Sequence, residues 1–281
     1  MPFYWDPKPE LFYLPILGFP ILWYSLFFAL GFIFGFPLFA GVMERFFLQQ
    51  PQRESAASLR AQAVRLTDRL VVYMVVATVV GARLGHFLFY ERPSDYLRHP
   101  LEILEVWKGG LSSHGAAFAI LIALWIFALR YRSALRGARW LNLLDFVSMP
   151  TALAGALIRI GNFFNQEILG TETSVPWAVV FGHPADRSAP VARHPVQLYE
   201  AIAYFALFFL LRKLTHQPKY LLQSGKLFGF FLVGVFGFRI VAECFKLEQS
   251  QFGSVFGLTI GQLLSVPLVV LGVYLSCRKR A

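Results

Sequence analysis

Trp140 to Gly170 read WLNLLDFVSMPTALAGALIRIGNFFNQEILG. The first two thirds of this stretch are apolar and long enough to cross a bilayer as a helix, because about 20 residues span roughly 30 Å of hydrocarbon. The run ends in a dense group of polar side chains that includes Arg159, Asn162 and Glu167. A charge inside hydrocarbon costs roughly 3 kcal/mol or more. The stretch therefore predicts a membrane helix whose end presents a site for a polar or anionic molecule.

The composition of the chain favours a membrane protein throughout. Hydrophobic residues make up 57% and charged residues 15% of its 281 residues, a balance that is rare in soluble chains. The sequence predicts an all-α membrane protein with a single domain over residues 1–281. Its seven predicted transmembrane helices are Leu11–Val42, Leu70–Tyr90, Ser113–Leu129, Trp140–Ile160, Pro195–Leu211, Leu227–Glu243 and Leu258–Cys277. The first lacks the basic start and cleavage site of a signal peptide, so it is expected to be retained.

Charges in the predicted loops indicate the orientation. The basic residues Arg278, Lys279 and Arg280 place the C-terminus in the cytoplasm, and seven crossings then place the N-terminus outside. Residues 45–69 are on this assignment a cytoplasmic loop, and residues 161–194 a periplasmic loop. Most lysines and arginines fall on the inner side, so the net charge of +10 is mainly an orientation signal. A nucleic-acid partner is therefore not predicted.

Most of the predicted helices carry polar side chains in the half that faces the outer leaflet. These residues are Tyr24, Arg83, His86, His114, Arg159, Asn162, Gln197, Tyr199, Glu200, Arg239, Glu243 and Gln262. The inner ends of the helices carry mainly loop lysines and arginines. This asymmetry predicts one polar cavity that opens to the outer side.

Several of these polar groups also have a purely structural explanation. These explanations are an ion pair within one helix for Arg239 and Glu243, extension toward the membrane interface for Arg83 and His86, hydrogen bonding between helices for Asn162 and Asn165, and helix capping or exposure to water for His114. Their concentration in one half of the membrane favours a functional site, because independent structural residues would not share one side.

Five motifs connect these residues. They are GARLGHFLFY from Gly81, WKGGLSSHGA from Trp107, RIGNFFNQE from Arg159, RHPVQLYEA from Arg193 and FRIVAE from Phe238. In this order and spacing, from about Trp23 to Gln262, the chain resembles the prolipoprotein diacylglyceryl transferases. It departs from the family pattern at three places. These are Ile158, where the family usually has glycine, Ser112 and Ser113 before the histidine, and the long stretch from Arg45 to Arg69.

The resemblance implies a multi-pass transferase of the bacterial inner membrane with one catalytic domain. Such an enzyme moves the diacylglyceryl group of phosphatidylglycerol to the lipobox cysteine of a prolipoprotein, as the first step of lipoprotein maturation. A thioether forms and glycerol phosphate leaves. The implied partners are phosphatidylglycerol, which is a substrate, and a prolipoprotein signal peptide with its lipobox. No cofactor and no metal are expected, and Cys244 and Cys277 lack the spacing of a metal site.

The resemblance also implies three catalytic residues. His114 matches the family's essential histidine, and an imidazole titrates where it can take the proton of a thiol. Arg159 and Arg239 match the family's two arginines, and guanidinium groups bind phosphate oxygens through paired, charge-assisted hydrogen bonds.

Further residues are expected to bind the substrates. Glu167 and Glu243 are expected to orient the arginines, while Asn162 and Tyr24 hold oxygens of the headgroup. The full set of substrate-binding candidates is Arg159, Asn162, Glu167, Gly170, Tyr24, Arg83, His86, Glu200 and Glu243.

Two other classes of protein fit parts of the pattern. A small transporter or channel would also place charges within the membrane. Against it, the halves show no internal repeat, and no polar series continues to the cytoplasmic side. A structural assembly factor that only binds lipid is the third alternative, and a lipidation assay distinguishes it from an enzyme.

Overall fold

A computed structural model describes residues 2–14, 19–51, 54–91, 110, 112–247 and 257–278. The helices in these residues are α1 (Trp23–Leu48), α2 (Ala56–Tyr90), α3 (Ser113–Arg130), α4 (Trp140–Phe164), α5 (Val196–Thr215), α6 (Pro218–Leu221), α7 (Lys226–Ala242) and α8 (Ile260–Cys277). The short strands are β1 (Phe3–Trp5), β2 (Glu10–Leu14), β3 (Phe19–Leu22), β4 (Val179–Phe181) and β5 (Ala192–Arg193). A 3-10 turn, Glu243–Phe245, follows α7.

The chain divides into two compact units, Met1–Val42 with Asp145–Ala281, and Met43–Leu144. The single-domain interpretation of residues 1–281 stays a prediction. Five helical segments in the described part of the chain are long and apolar enough to cross a membrane: α1, α2, α4, α7 with its following turn, and α8. Helix α3 is apolar but shorter. The structure thus confirms a mostly helical protein with several membrane-length helices.

In the unit Met43–Leu144, helices α2 and α3 cross at glycines. A Cβ added to Gly115 would lie 2.2 Å from the carbonyl oxygen of Gly81 and 2.6 Å from the Cα of Gly85. Small residues allow membrane helices to approach this closely. The Ser112 hydroxyl caps α3 by accepting a hydrogen bond from the Gly115 amide at 3.3 Å. The first turn of α3, which contains His114, is therefore fixed against α2.

In the other unit, a buried carboxylate organises the start of α7. Asp145 on α4 accepts hydrogen bonds from the amides of Gly225, at 2.6 Å, and Phe228, at 2.8 Å. These amides have no partners within their own helix, and a negative charge is favourable at a helix N-terminus. Helix α7 then packs on α8, where a Cβ added to Gly229 would lie 2.7 Å from the Gly272 carbonyl oxygen.

Two small sheets of short strands accompany the helices of this mostly helical protein. Strand β4 lies between β1, which is parallel to it, and β5, which is antiparallel. The Trp5 indole of β1 donates to the Phe163 carbonyl at 3.0 Å and stacks on the Phe163 ring. This sheet is therefore tied to the end of α4.

The boundaries of the first helix were also wrong in the prediction Leu11–Val42. Strands β2 and β3 form an antiparallel hairpin over part of this range, and α1 begins only at Trp23. The backbone up to Leu22 is paired in this hairpin, and the helix starts at the next residue.

The two predicted loops contain regular structure. Within residues 45–69, α1 continues to Leu48 and α2 begins at Ala56. The buried side chains of Leu59, Ala63 and Leu66 recur at helical spacing here, so the many arginines do not prevent a helix. Within residues 161–194, α4 continues to Phe164, and strands β4 and β5 follow.

Candidate active site

The end of α4 turns back on itself within the motif RIGNFFNQE. Gln166 and Ile168 have positive φ angles of 52° and 58°, which residues other than glycine seldom adopt. The turn places Glu167 over Asn162, whose side-chain amide donates to Glu167 Oε1 at 2.7 Å. Asn165 donates to the same oxygen at 3.4 Å. Backbone conformations of this kind cost about 1–3 kcal/mol each and cluster at functional sites.

Arg159 is held on two sides. Its Nη1 donates to Asn162 Oδ1 at 3.1 Å, and its Nε lies 3.1 Å from Glu200 Oε2. Glu200 is fully buried on α5, and Tyr204 donates to its other oxygen at 3.3 Å. The Arg159–Glu200 contact is an ion pair without hydrogen-bond alignment, since Oε2 accepts no aligned bond from the described residues. Glu200, rather than Glu167, is thus the carboxylate that contacts Arg159 directly.

Arg239 and Glu243 form a looser pair one helical turn apart. Arg239 Nε lies 3.8 Å from Glu243 Oε1, and the arginine side chain is 38% exposed. Glu243 Oε2 accepts the Thr259 hydroxyl at 3.1 Å. A Cβ added to Gly261 would lie 2.6 Å from the Glu243 carboxyl carbon. The first turn of α8 therefore closes over this carboxylate, while Arg239 stays more accessible than Arg159.

A lysine that the sequence analysis left without a role joins these groups. The Lys246 ammonium lies 3.0 Å from Glu200 Oε1 and 3.4 Å from Glu243 Oε1. Burial lowers the pKa of Lys246, although its two carboxylate partners oppose the shift. Its spacing of three residues from Glu243, directly after the motif FRIVAE, was the available signal.

The resulting set of connected side chains is called the polar array. Its members, in order of contact, are Glu167, Asn162, Arg159, Glu200, Lys246, Glu243 and Arg239. It contains three cations and three carboxylates, so its formal charge is zero. All members belong to one unit of the chain. Every member except Lys246 is among the candidates predicted from the sequence.

Two further candidates lie against the motif that contains Arg159. A Cβ added to Gly161 would lie 3.0 Å from Cδ2 of Tyr24, so the tyrosine ring packs on that glycine. A Cβ added to Gly170 would lie 2.2 Å from the His194 carbonyl oxygen. The carbonyl of Gly170 accepts a hydrogen bond from Arg193 Nη1 at 3.3 Å. Gly170 thus has a packing role at the end of the motif.

Arg83, His86 and His114 lie in the unit Met43–Leu144. Arg83 Nη1 donates to the Gly110 carbonyl at 3.2 Å, and its guanidinium lies over the Phe87 ring. His86 Nε2 lies 3.1 Å from Glu91 Oε1. His114 is exposed on the first turn of α3.

The alternative explanation of His114 as a helix cap does not hold, because Ser112 supplies the cap of α3. The start of the motif WKGGLSSHGA, from Trp107 to Gly109, lies outside the described residues. Among the described residues, no group of histidine, cysteine, aspartate and glutamate side chains is arranged for a metal ion.

The family model and the similar proteins of known name all indicate the same family. A family model for prolipoprotein diacylglyceryl transferase matches residues 9–278. The phosphatidylglycerol–prolipoprotein diacylglyceryl transferase of Tolumonas auensis is 40% identical over 97% of this chain and 95% of its own length. The proteins of the same name from Chloroherpeton thalassium and Chlamydia muridarum are 41% and 38% identical, over 97% and 99% of this chain and 92% and 98% of their own lengths.

Proposed function

Since this chain belongs to the prolipoprotein diacylglyceryl transferase family, we propose that its polar array holds the phosphate of the lipid substrate. The protein is a multi-pass membrane enzyme. It transfers a diacylglyceryl group from phosphatidylglycerol to a prolipoprotein, the first step of lipoprotein maturation. The observation that supports the phosphate site best is the connected series from Arg159 through Glu200, Lys246 and Glu243 to Arg239.

The proposed reaction is a displacement by a thiolate. The lipobox cysteine of the prolipoprotein loses its proton to His114, and its sulfur attacks the phosphate-bearing carbon of the diacylated glycerol. The carbon–sulfur bond forms, the carbon–oxygen bond to the phosphate breaks, and glycerol phosphate leaves. A free cysteine thiol has a pKa of about 8.5, so a positioned base increases the thiolate fraction at neutral pH. The transfer as proposed uses only side chains of the protein and needs no cofactor or metal.

Arg159 and Arg239 are the proposed phosphate ligands. Negative charge develops on the leaving phosphate, and fixed guanidinium donors stabilise such charge without reorganising during the reaction. Asn162 and Glu200 fix the plane of Arg159, which supports this role. Asn162 and Tyr24 are proposed to bind other headgroup oxygens, with Glu167 acting on Arg159 through Asn162. Arg83 and His86 remain proposed contacts for the substrates.

We further propose seven crossings of the bacterial inner membrane, with α3 and α5 completing the set. The N-terminus would lie outside, the C-terminus in the cytoplasm, and the polar cavity toward the outer leaflet. A reporter fused after Arg136 is expected to give a cytoplasmic signal, because that segment is rich in arginine. A reporter inserted between Glu172 and Arg187 is expected to give a periplasmic signal. The reverse signal at either point would exclude this topology.

A lipidation assay tests the function. Purified protein in detergent, phosphatidylglycerol and a peptide with a lipobox are expected to yield a peptide heavier by one diacylglyceryl group. The same peptide with serine in place of cysteine is the control, since the product requires a thiol. Release of glycerol phosphate in equal amount would support the displacement. A folded protein that binds the lipid but never modifies the peptide would instead favour the assembly-factor alternative.

A further inference from the structure

Lys246 connects the Arg159 side of the polar array to its Arg239 side. Its side chain is only 6% exposed and contacts the carboxylates of both Glu200 and Glu243. Glu200 is also the partner of Arg159, and Glu243 is also the partner of Arg239. Each carboxylate therefore shares its charge between an arginine and the same lysine.

Backbone pairing explains how a residue beyond the membrane helix reaches this position. The amide of Leu247 donates to the Leu169 carbonyl at 3.0 Å, and the amide of Thr171 donates to the Phe245 carbonyl at 2.8 Å. Lys246 and Gly170 face each other in the resulting antiparallel bridge. The lysine is thus held to the segment just after the motif RIGNFFNQE. Its ammonium group lies between the carboxylates of Glu200 and Glu243.

The formal charges indicate what this contact achieves. Without the ammonium of Lys246, the polar array would carry two cations and three carboxylates, a net charge of one negative unit. The charge of each carboxylate would then be balanced by its arginine alone. An anionic phosphate would therefore enter a site with a net negative charge. Buried charges are screened far less than exposed ones, so the change would weaken phosphate binding strongly.

We propose that Lys246 is a positioning residue for the lipid phosphate. It binds the carboxylates of Glu200 and Glu243, so that Arg159 and Arg239 keep charge and N–H donors for the phosphate. This inference rests on the proposed function, because the ligand it assumes is the phosphate of phosphatidylglycerol. It assigns the lysine no contact with the reacting atoms.

The test compares lipids with and without a phosphate. In the full-length protein, Lys246→Met is expected to raise KM for phosphatidylglycerol about tenfold or more, because one buried charge is lost near an anion. Inhibition by diacylglycerol with the same acyl chains, which carries no phosphate, is expected to be unchanged. Lys246→Arg is expected to retain a KM near that of the wild type, since a guanidinium also binds two carboxylates. Lys219→Met, an exposed lysine in α6, is the matched control.

A second substitution separates positioning from direct contact. Glu243→Gln combined with Lys246→Met restores the formal charge of the array and is expected to recover much of the affinity for phosphatidylglycerol. A KM that stays raised in this double variant, above that of Glu243→Gln alone, would mean that the lysine binds phosphate itself, and it would overturn the proposal. An equal loss of phosphatidylglycerol and diacylglycerol binding would also overturn it, since that indicates a general structural defect.

The same assay distinguishes failure of this inference from failure of the proposed function. A wild-type protein without transferase activity would contradict the function. An active wild type together with an unchanged KM in Lys246→Met would contradict only the role of the lysine. If Lys246→Met is not recovered in folded form, a raised KM in both Lys246→Arg and the double variant overturns the proposal.

Discussion

Arg159→Lys is expected to fold normally and to lose most transferase activity. The lysine keeps the positive charge, but it lacks the planar guanidinium group that contacts Asn162 and Glu200 through different nitrogens. Hydrogen bonds to charged groups contribute about 1.5–3 kcal/mol each. Loss of roughly 2–3 kcal/mol in the transition state corresponds to a fall in kcat/KM of about 30- to 150-fold.

The measurement is the initial rate of peptide lipidation at several concentrations of phosphatidylglycerol. Arg212→Lys is the matched control, because Arg212 is exposed in the last turn of α5. Thermal unfolding in detergent would report whether the variant is folded. Turnover by Arg159→Lys within a few-fold of the wild type would exclude the role of Arg159 as a phosphate ligand. Arg239→Lys is expected to show the same direction of change, with a smaller loss if its main partner is Glu243.

His114→Gln is expected to abolish transfer while leaving lipid binding nearly intact. Glutamine preserves size and polarity, but it cannot accept a proton at neutral pH. General-base catalysis typically contributes about 10²- to 10⁴-fold, which sets the expected loss in kcat. The glutamates are weaker alternatives, since Glu200 and Glu243 are already bound to cations.

Two measurements on His114→Gln decide its role. Lipidation rates over a range of pH report the base, and binding of phosphatidylglycerol reports whether the site is preserved. His216→Gln is the control, because His216 lies exposed at the C-terminal end of α5. A normal rate with an unchanged pH profile in His114→Gln would identify another group as the base.

The sequence predicts the helices well where one apolar run dominates, and poorly where local chemistry competes with it. The run before Arg159 becomes α4 as expected, with only its last turn missed. The start of α1 was misplaced because hydropathy does not distinguish the paired apolar strands β2 and β3 from a helix. The stretch from Arg45 to Arg69 was taken for a loop because charge count hides the buried stripe of Leu59, Ala63 and Leu66.

The candidate site was predictable in its members but not in its connections. Motif resemblance supplies residue identities, whereas the direct partner of an arginine depends on how separate elements pack. The pairing of Arg159 with Glu200 joins α4 to α5, and the sequence favoured Glu167 because it lies closer along the chain. The contact of Lys246 with Glu243 follows from their spacing of three residues, whereas its contact with Glu200 depends on the packing of separate elements.

The glycine crossing of α2 and α3 also fixes the position of the proposed base, His114, along α2. Because backbone atoms of Gly81, Gly85 and Gly115 meet with no side chain between them, neither helix can slip along the other by one residue, about 1.5 Å, without driving a side chain into the contact. No rotamer change can absorb such a shift. The backbone contact therefore sets the position of His114 along α2. A displacement of the histidine parallel to the helix axis requires both helices to move together.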